Sequence, residues 1–195
     1  MNDANRNNPK SAFKTVTETA VKSIKQRQLT RYWERLRADY LLPLWSQVDA
    51  TEIASSRDNL CVMDVNREGA LLRYRIREHG DKLTEYYGSV CAGRFLDDLM
   101  TPAALSALTA VYAQAVNGRR PINTISPITD SKGRAVTFER LLLPFTVSGS
   151  AVEVVLTSLE AISIDGAFDQ FKVLEPSQRL AVSGFQGIIE APAQP

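Results

Sequence analysis

Glu139-Arg140-Leu141-Leu142-Leu143-Pro144-Phe145 is the stretch that decides the fold. From Leu141 to Phe145 it is continuously apolar, and a strand points alternate side chains to opposite faces of its sheet, so both faces there need a cover. The next run repeats the pattern, with Val152, Val154 and Leu156 on one alternation and Val155 and Leu159 on the other. Glu139 and Arg140, being adjacent, point to opposite faces, and Arg140 shares its face with Val136, Phe138 and Leu142. A guanidinium on an apolar face must meet a carboxylate, a carbonyl or a bound anion, because leaving it buried and unpaired costs several kcal/mol.

Working outward, three strands are predicted in this region: Ile122 to Ile128 after Pro121, Arg134 to Phe145 after Asp130-Ser131-Lys132-Gly133, and Ala151 to Ile162 after Ser148-Gly149-Ser150. Upstream, Leu60 to Val65 and Ala70 to Arg77 alternate on either side of Asn66-Arg67-Glu68-Gly69, a hairpin turn with glycine available for positive φ. Between the two groups the period is helical. Short helices are expected at Leu83 to Tyr87 and Phe95 to Met100, then a longer one with Thr101 as N-cap, Pro102 in its first turn and Gly118 just past its end. That order predicts an α+β fold, a five-stranded antiparallel sheet with a helical crossover on one face. The other face falls to an N-terminal helix from Ser11, whose second half sets Leu29, Trp33, Leu36 and Tyr40 on one stripe and which Pro43 ends. The expected organisation is a frayed tip at 1–10, the N-terminal helix at 11–42, a core at 43–165 and a C-terminal extension at 166–195.

Composition narrows the function. A chain of 195 residues with 44% apolar and 23% charged residues fits one globular domain. No window approaches the roughly 20 apolar residues of a membrane span, and the polar start Met1-Asn2-Asp3 has no signal-peptide core, so a cytoplasmic protein of a bacterial cell is expected. Two cysteines, Cys61 and Cys91, and one histidine, His79, exclude a disulfide framework, a four-thiolate zinc site and a His-His metal motif. No metal site and no catalytic residue is expected, and an enzyme would have to be built around His79. Phosphate-binding glycine loops are absent. The net charge of +1 divides into +6 for residues 1 to 37 and −5 for the rest. The basic part reads as a solvated helix face, and no specific nucleic-acid binding is expected. The row Arg73, Arg75 and Arg77 reads as an exposed strand face paired with neighbouring strands.

Tyr32-Trp33 with Leu36-Arg37, Val48-Asp49 after Pro43, Arg73-Tyr74-Arg75-Ile76, Gly80, Tyr87-Gly88, Gly93, Pro121 and Glu139-Arg140-Leu141-Leu142-Leu143-Pro144 follow one another in an order that resembles the single-domain PAS proteins of alphaproteobacteria, from about residue 29 to residue 162. The chain departs from that pattern at Arg77-Glu78-His79, with about two additional residues before Gly80, and at Trp45, where the family often has a basic residue. The resemblance implies a sensory or interaction module without catalytic output. Such modules hold small ligands between the helices and the inner sheet face, pair through N-terminal helices and signal by altered association. Candidate ligand-binding residues are Tyr74, His79, Tyr87, Cys91, Tyr112 and Arg140. Candidate homodimer or partner contacts are Leu29, Trp33 and Leu36. The alternative is a constitutive scaffold whose cleft is filled by Tyr74, Phe95 and Tyr112.

Cofactor identity is open, and the residues argue against haem and flavin. His79 is the sole imidazole for a haem iron. Cys91-Ala92-Gly93-Arg94-Phe95-Leu96 resembles the cysteine segment of flavin-binding photosensory PAS domains, but its thiol comes two residues early, about 200° around a helix.

Overall fold

The computed structural model describes residues 13–129, 135–162 and 185–190. In chain order it contains strand β1 (Lys14–Val16), helix α1 (Ile24–Arg37), the hairpin β2 (Leu60–Glu68) and β3 (Leu71–His79), helices α2 (Asp81–Tyr87) and α3 (Pro102–Gly118), and strands β4 (Ile122–Thr129), β5 (Ala135–Phe145), β6 (Val154–Ile162) and β7 (Phe185–Ile189). One sheet runs β1-β7-β4-β5-β6-β2-β3, with β1 and β7 parallel and all other neighbours antiparallel.

The five expected strands form the contiguous block β4-β5-β6-β2-β3, but the sheet has seven among the described residues. β1 lies within the stretch expected to be helical from Ser11, and β7 within the expected C-terminal extension. The helix starts only at Ile24, where the Ser23 hydroxyl accepts the Gln26 N–H as a side-chain cap. β7 carries Gly187, at which a Cβ would lie 2.7 Å from Val16 Cγ2, so the bare backbone is what lets β1 approach. The tip at 1–10 lies outside the described residues, as does most of 166–195. Two smaller expectations change as well. Leu96–Asp98 is a single 3-10 turn in place of a helix from Phe95 to Met100, and Gly118 is the last helical residue of α3, with Arg119 taking the left-handed φ of 53° beyond it.

α1 lies across β5 and β6. Its stripe is used inside the chain: Leu29 and Trp33 are buried and Leu36 packs half-buried against the same core. Trp33 Nε1 also donates to the carbonyl of Pro144 at 2.7 Å. Leu29 and Trp33 therefore cannot serve as the partner contacts expected of them, because burial on their own sheet has already removed their apolar area from water. Tyr40 falls beyond the helix end and is exposed. The arginines of α1 also find partners within the chain. Arg31 pairs with Glu18 at 2.7 Å, Arg35 with Glu52, and Arg37 with Glu34 at 3.0 Å, while Arg27 donates to the Val21 carbonyl at 3.1 Å.

The attachment centres on Glu139, fully buried on the α1 side of β5. Its two oxygens accept the backbone N–H groups of Lys22 and Ser23 at 2.7 Å each, and Oε1 also accepts Asn123 Nδ2 at 3.1 Å. Gln26, also fully buried, donates through Nε2 to the carbonyls of Glu139 and Ser158, each at 3.1 Å. A desolvated carboxylate is tolerated here because charge-assisted bonds replace its water. Among the described residues, no helix is long and apolar enough to cross a membrane.

Two predictions follow from this attachment. Glu139→Ala should lower the free energy of unfolding by about 3 kcal/mol, since two backbone donors and one amide lose their acceptor together. Urea denaturation reads this directly, and a loss no larger than that of an average surface substitution would show that the carboxylate does not hold α1. The second concerns Glu160, which faces Glu139 across the β5–β6 pair and has a buried Oε1 with no hydrogen-bond partner among the described residues. Burial raises its pKa above 4.5, Lys25 opposes that shift, and Glu139 adds to it. A carboxylate with a raised folded pKa is protonated more readily in the folded state, so stability falls as pH rises from the ordinary glutamate value through the folded one. Glu160→Gln should remove that decline and raise the melting temperature at neutral pH, measured against wild type across the acidic range.

Candidate functional site

Side-chain alternation sorts the central strands into two surfaces. Register pairs Arg140 with Thr124 on β4 and Leu159 on β6, Leu142 with Ile122 and Thr157, and Thr157 with Cys61 on β2. These residues share the face covered by α2 and α3, opposite the face that carries Glu139 and α1. Tyr112 of α3 reaches this surface and shares a hydrogen bond with Thr157 Oγ1 at 2.9 Å. Its ring lies 4.8 Å from that of Tyr74 on β3. Tyr86 of α2 packs edge-on against Phe138, with centroids 5.0 Å apart.

Arg140 is the charge in this cleft. It is half-buried, and no described residue offers its guanidinium a hydrogen bond or an ion pair. Thr124, directly opposite, has a buried hydroxyl that also lacks a partner among the described residues. The hydroxyls of Tyr87 and Tyr112 and the thiol of Cys61 all lie within the electrostatic reach of Arg140. Burial pushes each of the three upward in pKa, and the guanidinium opposes that shift in each. All three are therefore protonated and neutral at physiological pH. The cleft presents a cation beside hydroxyl groups able to donate hydrogen bonds, a set suited to an anionic oxygen group.

Tyr87, Tyr112 and Arg140 are thus brought together as candidate ligand residues. Tyr74 on β3 packs against Tyr112 with the two rings tilted by 43°. Burial pushes its phenol up to about 12, slightly opposed by Arg67, and its hydroxyl is buried without a partner among the described residues. Thr124 and Thr157 were not among the sequence candidates, although the register opposite Arg140 and Leu142 marks them once the strands are paired.

His79 and Cys91 bind each other instead of facing the cleft as free groups. His79 Nε2 accepts the backbone N–H of Cys91 at 2.9 Å, which puts the ring proton on Nδ1, 3.0 Å from the Gly80 carbonyl. Both nitrogens are occupied, so a haem iron would have to break the bracket that closes the loop after α2. The Cys91 thiol is buried, donates to Ser89 O at 3.3 Å and has its pKa raised by burial, which keeps it a neutral thiol.

Arg73 binds Asp97 at 2.7 Å and lies 4.0 Å over the Phe95 ring, Arg75 donates to the Gly93 carbonyl at 3.1 Å, and Arg77 pairs with Asp64 at 2.5 Å. The arginine row is a paired strand face, with Arg73 half-buried, but Asp97 and Gly93 belong to the segment after α2 and only Arg77 has its main partner on the neighbouring strand. Phe95 is half-buried under Arg73 and does not fill the interior as the scaffold alternative supposed.

A PAS domain family model matches residues 21–159. Among curated proteins, none matches significantly. Solved structures similar to this chain include a PAS domain from Colwellia psychrerythraea, at 14% identity over 57% of this chain and 95% of that one, with a TM-score of 0.42. Another is a light-oxygen-voltage domain studied with a flavin analogue, at 14% identity over 59% of this chain and 84% of that one, with a TM-score of 0.41. The light-state light-oxygen-voltage domain of the photoreceptor Aureochrome1 is 11% identical over 60% of this chain and 91% of that one, with a TM-score of 0.39. The family match extends from the residues that Glu139 caps to the strand pair that holds Glu139 and Arg140, and it places this chain in the PAS domain family.

Proposed function

We propose that the protein is a sensory and interaction module whose helix–sheet cleft binds a small anionic ligand, a carboxylate or a phosphate, through Arg140, and whose output is a change in association. The observation that carries this reading is the Arg140 guanidinium, without a hydrogen-bond or ion-pair partner among the described residues, near Thr124, Tyr87 and Tyr112. A ligand bridging Arg140 on β5 and the hydroxyls of α2 and α3 stabilises one seating of the helices over another. Only that difference in affinity can shift the population. Its effect has a short route outward, because the next residue on β5 is Glu139, which caps α1 on the opposite face.

A second reading is a constitutive scaffold. The fully buried pair Tyr74 and Tyr112 favours it, since these two contacting rings fill part of the cleft with the chain's own side chains. Thermal denaturation against a panel of small carboxylates and phosphates, with native mass spectrometry of the purified protein, separates the two readings. The sensor predicts a saturable rise in melting temperature, worth about 2.7 kcal/mol at a hundredfold excess over Kd. Arg140→Met should fold and lose that rise. No response to any panel member, no retained molecule and no difference between wild type and Arg140→Met would leave the scaffold.

For the output, the segment after α1 leaves Tyr40, Leu41 and Leu44 exposed, at 73%, 53% and 39%, and Val147 is exposed at 59% on the loop before β6. We assign homodimerisation to this end of the helix in place of Leu29 and Trp33. Sedimentation should show weakened self-association for Tyr40→Ser combined with Leu41→Ser, whereas an unchanged dimer, or a monomeric parent, would overturn the assignment.

A further inference from the structure

The α1 side of the sheet holds a cavity, on the face opposite the one that carries Arg140. It has a volume of about 580 Å³, within the roughly 300 to 1,000 Å³ common for small-molecule sites. Its floor is Leu60, Val62 and Leu156, all buried and all on the outer alternation of β2 and β6. Its wall is the segment that follows α1, with Trp45 and Val48 turned toward the floor.

This wall is fixed in advance of any ligand. Trp45 packs edge-on against Phe145 with centroids 5.3 Å apart, and the Arg77 guanidinium lies 5.5 Å from its ring centre. The Asp49 N–H donates to Tyr32 Oη at 2.7 Å, and Arg35 pairs with Glu52, so α1 latches the segment at two points. At the far corner a Cβ on Gly80 would lie 2.2 Å from the Arg57 carbonyl, so only glycine allows β3 to close against the 3-10 turn at Ala54–Asn59. The register of β2 and β3 shifts between Val62 and Met63, which gives the extra residues at Arg77-Glu78-His79 their place beside the cavity.

Two charges of opposite sign stand on the rim. Arg57 and Glu78 both line the cavity, both are exposed, and neither has an ion-pair partner among the described residues. A lone carboxylate would gain Arg57 and be opposed by Glu78, and a lone amine would meet the reverse. A molecule carrying both charges on an apolar body satisfies the rim and the floor together. We infer that this cavity binds a small apolar zwitterion, an α-amino acid with a hydrophobic side chain, with its carboxylate at Arg57, its ammonium at Glu78 and its side chain over Val62, Leu156 and Trp45.

Tryptophan emission tests this in the intact protein, because Trp33 is fully buried while Trp45 lines the cavity. The probes are L-phenylalanine, 3-phenylpropanoate, which lacks the ammonium, and phenethylamine, which lacks the carboxylate. Phenylalanine should change the emission saturably and each single-charge analogue should bind about 10-fold more weakly, the size of one charge-assisted contact at a solvated rim. Trp45→Phe should abolish the signal. Arg57→Gln should weaken phenylalanine and leave phenethylamine unweakened, and Glu78→Gln should weaken phenylalanine and leave 3-phenylpropanoate unweakened. Both positions are exposed, so folding is not at risk. Arg140→Met should leave the phenylalanine titration unchanged, which keeps failure here distinct from failure of the cleft. A titration with no saturable change, three probes of equal affinity, or indifference to both rim substitutions would overturn the inference.

Discussion

Glu139 is a carboxylate without solvent on a central strand, and an ion in that position is compatible with folding only if each oxygen finds donors that water would otherwise supply. It finds them in the two backbone N–H groups that precede α1 and in the Asn123 amide. The exchange is mutual, since those N–H groups stand just before the helix, where no helical carbonyl can accept them. The exposed ion pairs of the same region, Arg31 with Glu18 and Arg35 with Glu52, are each worth at most about 1 kcal/mol in water. They can orient α1 but not hold it. Burial of Leu29 and Trp33 supplies the larger share of the attachment, and Glu139 sets where along β5 that burial occurs.

The consequence is a sheet with two differently occupied faces and one strand that serves both. On β5 the alternation puts Glu139, Leu141, Leu143 and Phe145 toward α1 and its following segment, and Phe138, Arg140 and Leu142 toward α2 and α3. The peptide between Glu139 and Arg140 is therefore the shortest covalent path from the cleft to the N-terminal segment. A close-packed interior transmits a displacement of that strand instead of absorbing it.

What was legible in the residues was whatever obeys a period or a local cap. The double-sided apolar run at Leu141 to Phe145 required two covers, the alternation put Arg140 into an apolar face, and Thr101 with Pro102 marked the start of α3. What was not legible depends on contacts between distant segments. Two of the three partners of Glu139 are backbone groups more than a hundred residues earlier, and a backbone N–H carries no signature in a sequence. The stripe Leu29, Trp33 and Leu36 declared that it must be buried, but the same pattern serves a helix docked in cis or in trans. β1 is three residues long, too short for any period, and β7 is recognisable only through the neighbour that crosses Gly187. His79 was singled out by its rarity, whereas its role is set by the Cys91 N–H that it accepts.

The two candidate sites can influence each other only through what they share. Leu156 floors the outer cavity, and the next residue, Thr157, holds Tyr112 in the cleft, so β6 repeats the opposition of faces that Glu139 and Arg140 make on β5. α1 latches the outer wall through Tyr32 and Arg35, and it is itself seated by Glu139. If the ligands of both faces discriminate between seatings of α1, each changes the affinity of the other, and by reciprocity the two factors are equal. Two ligands that leave α1 where it is would bind without knowledge of each other, however close the strands that carry them. The position of α1 is thus the variable on which any communication between the faces depends.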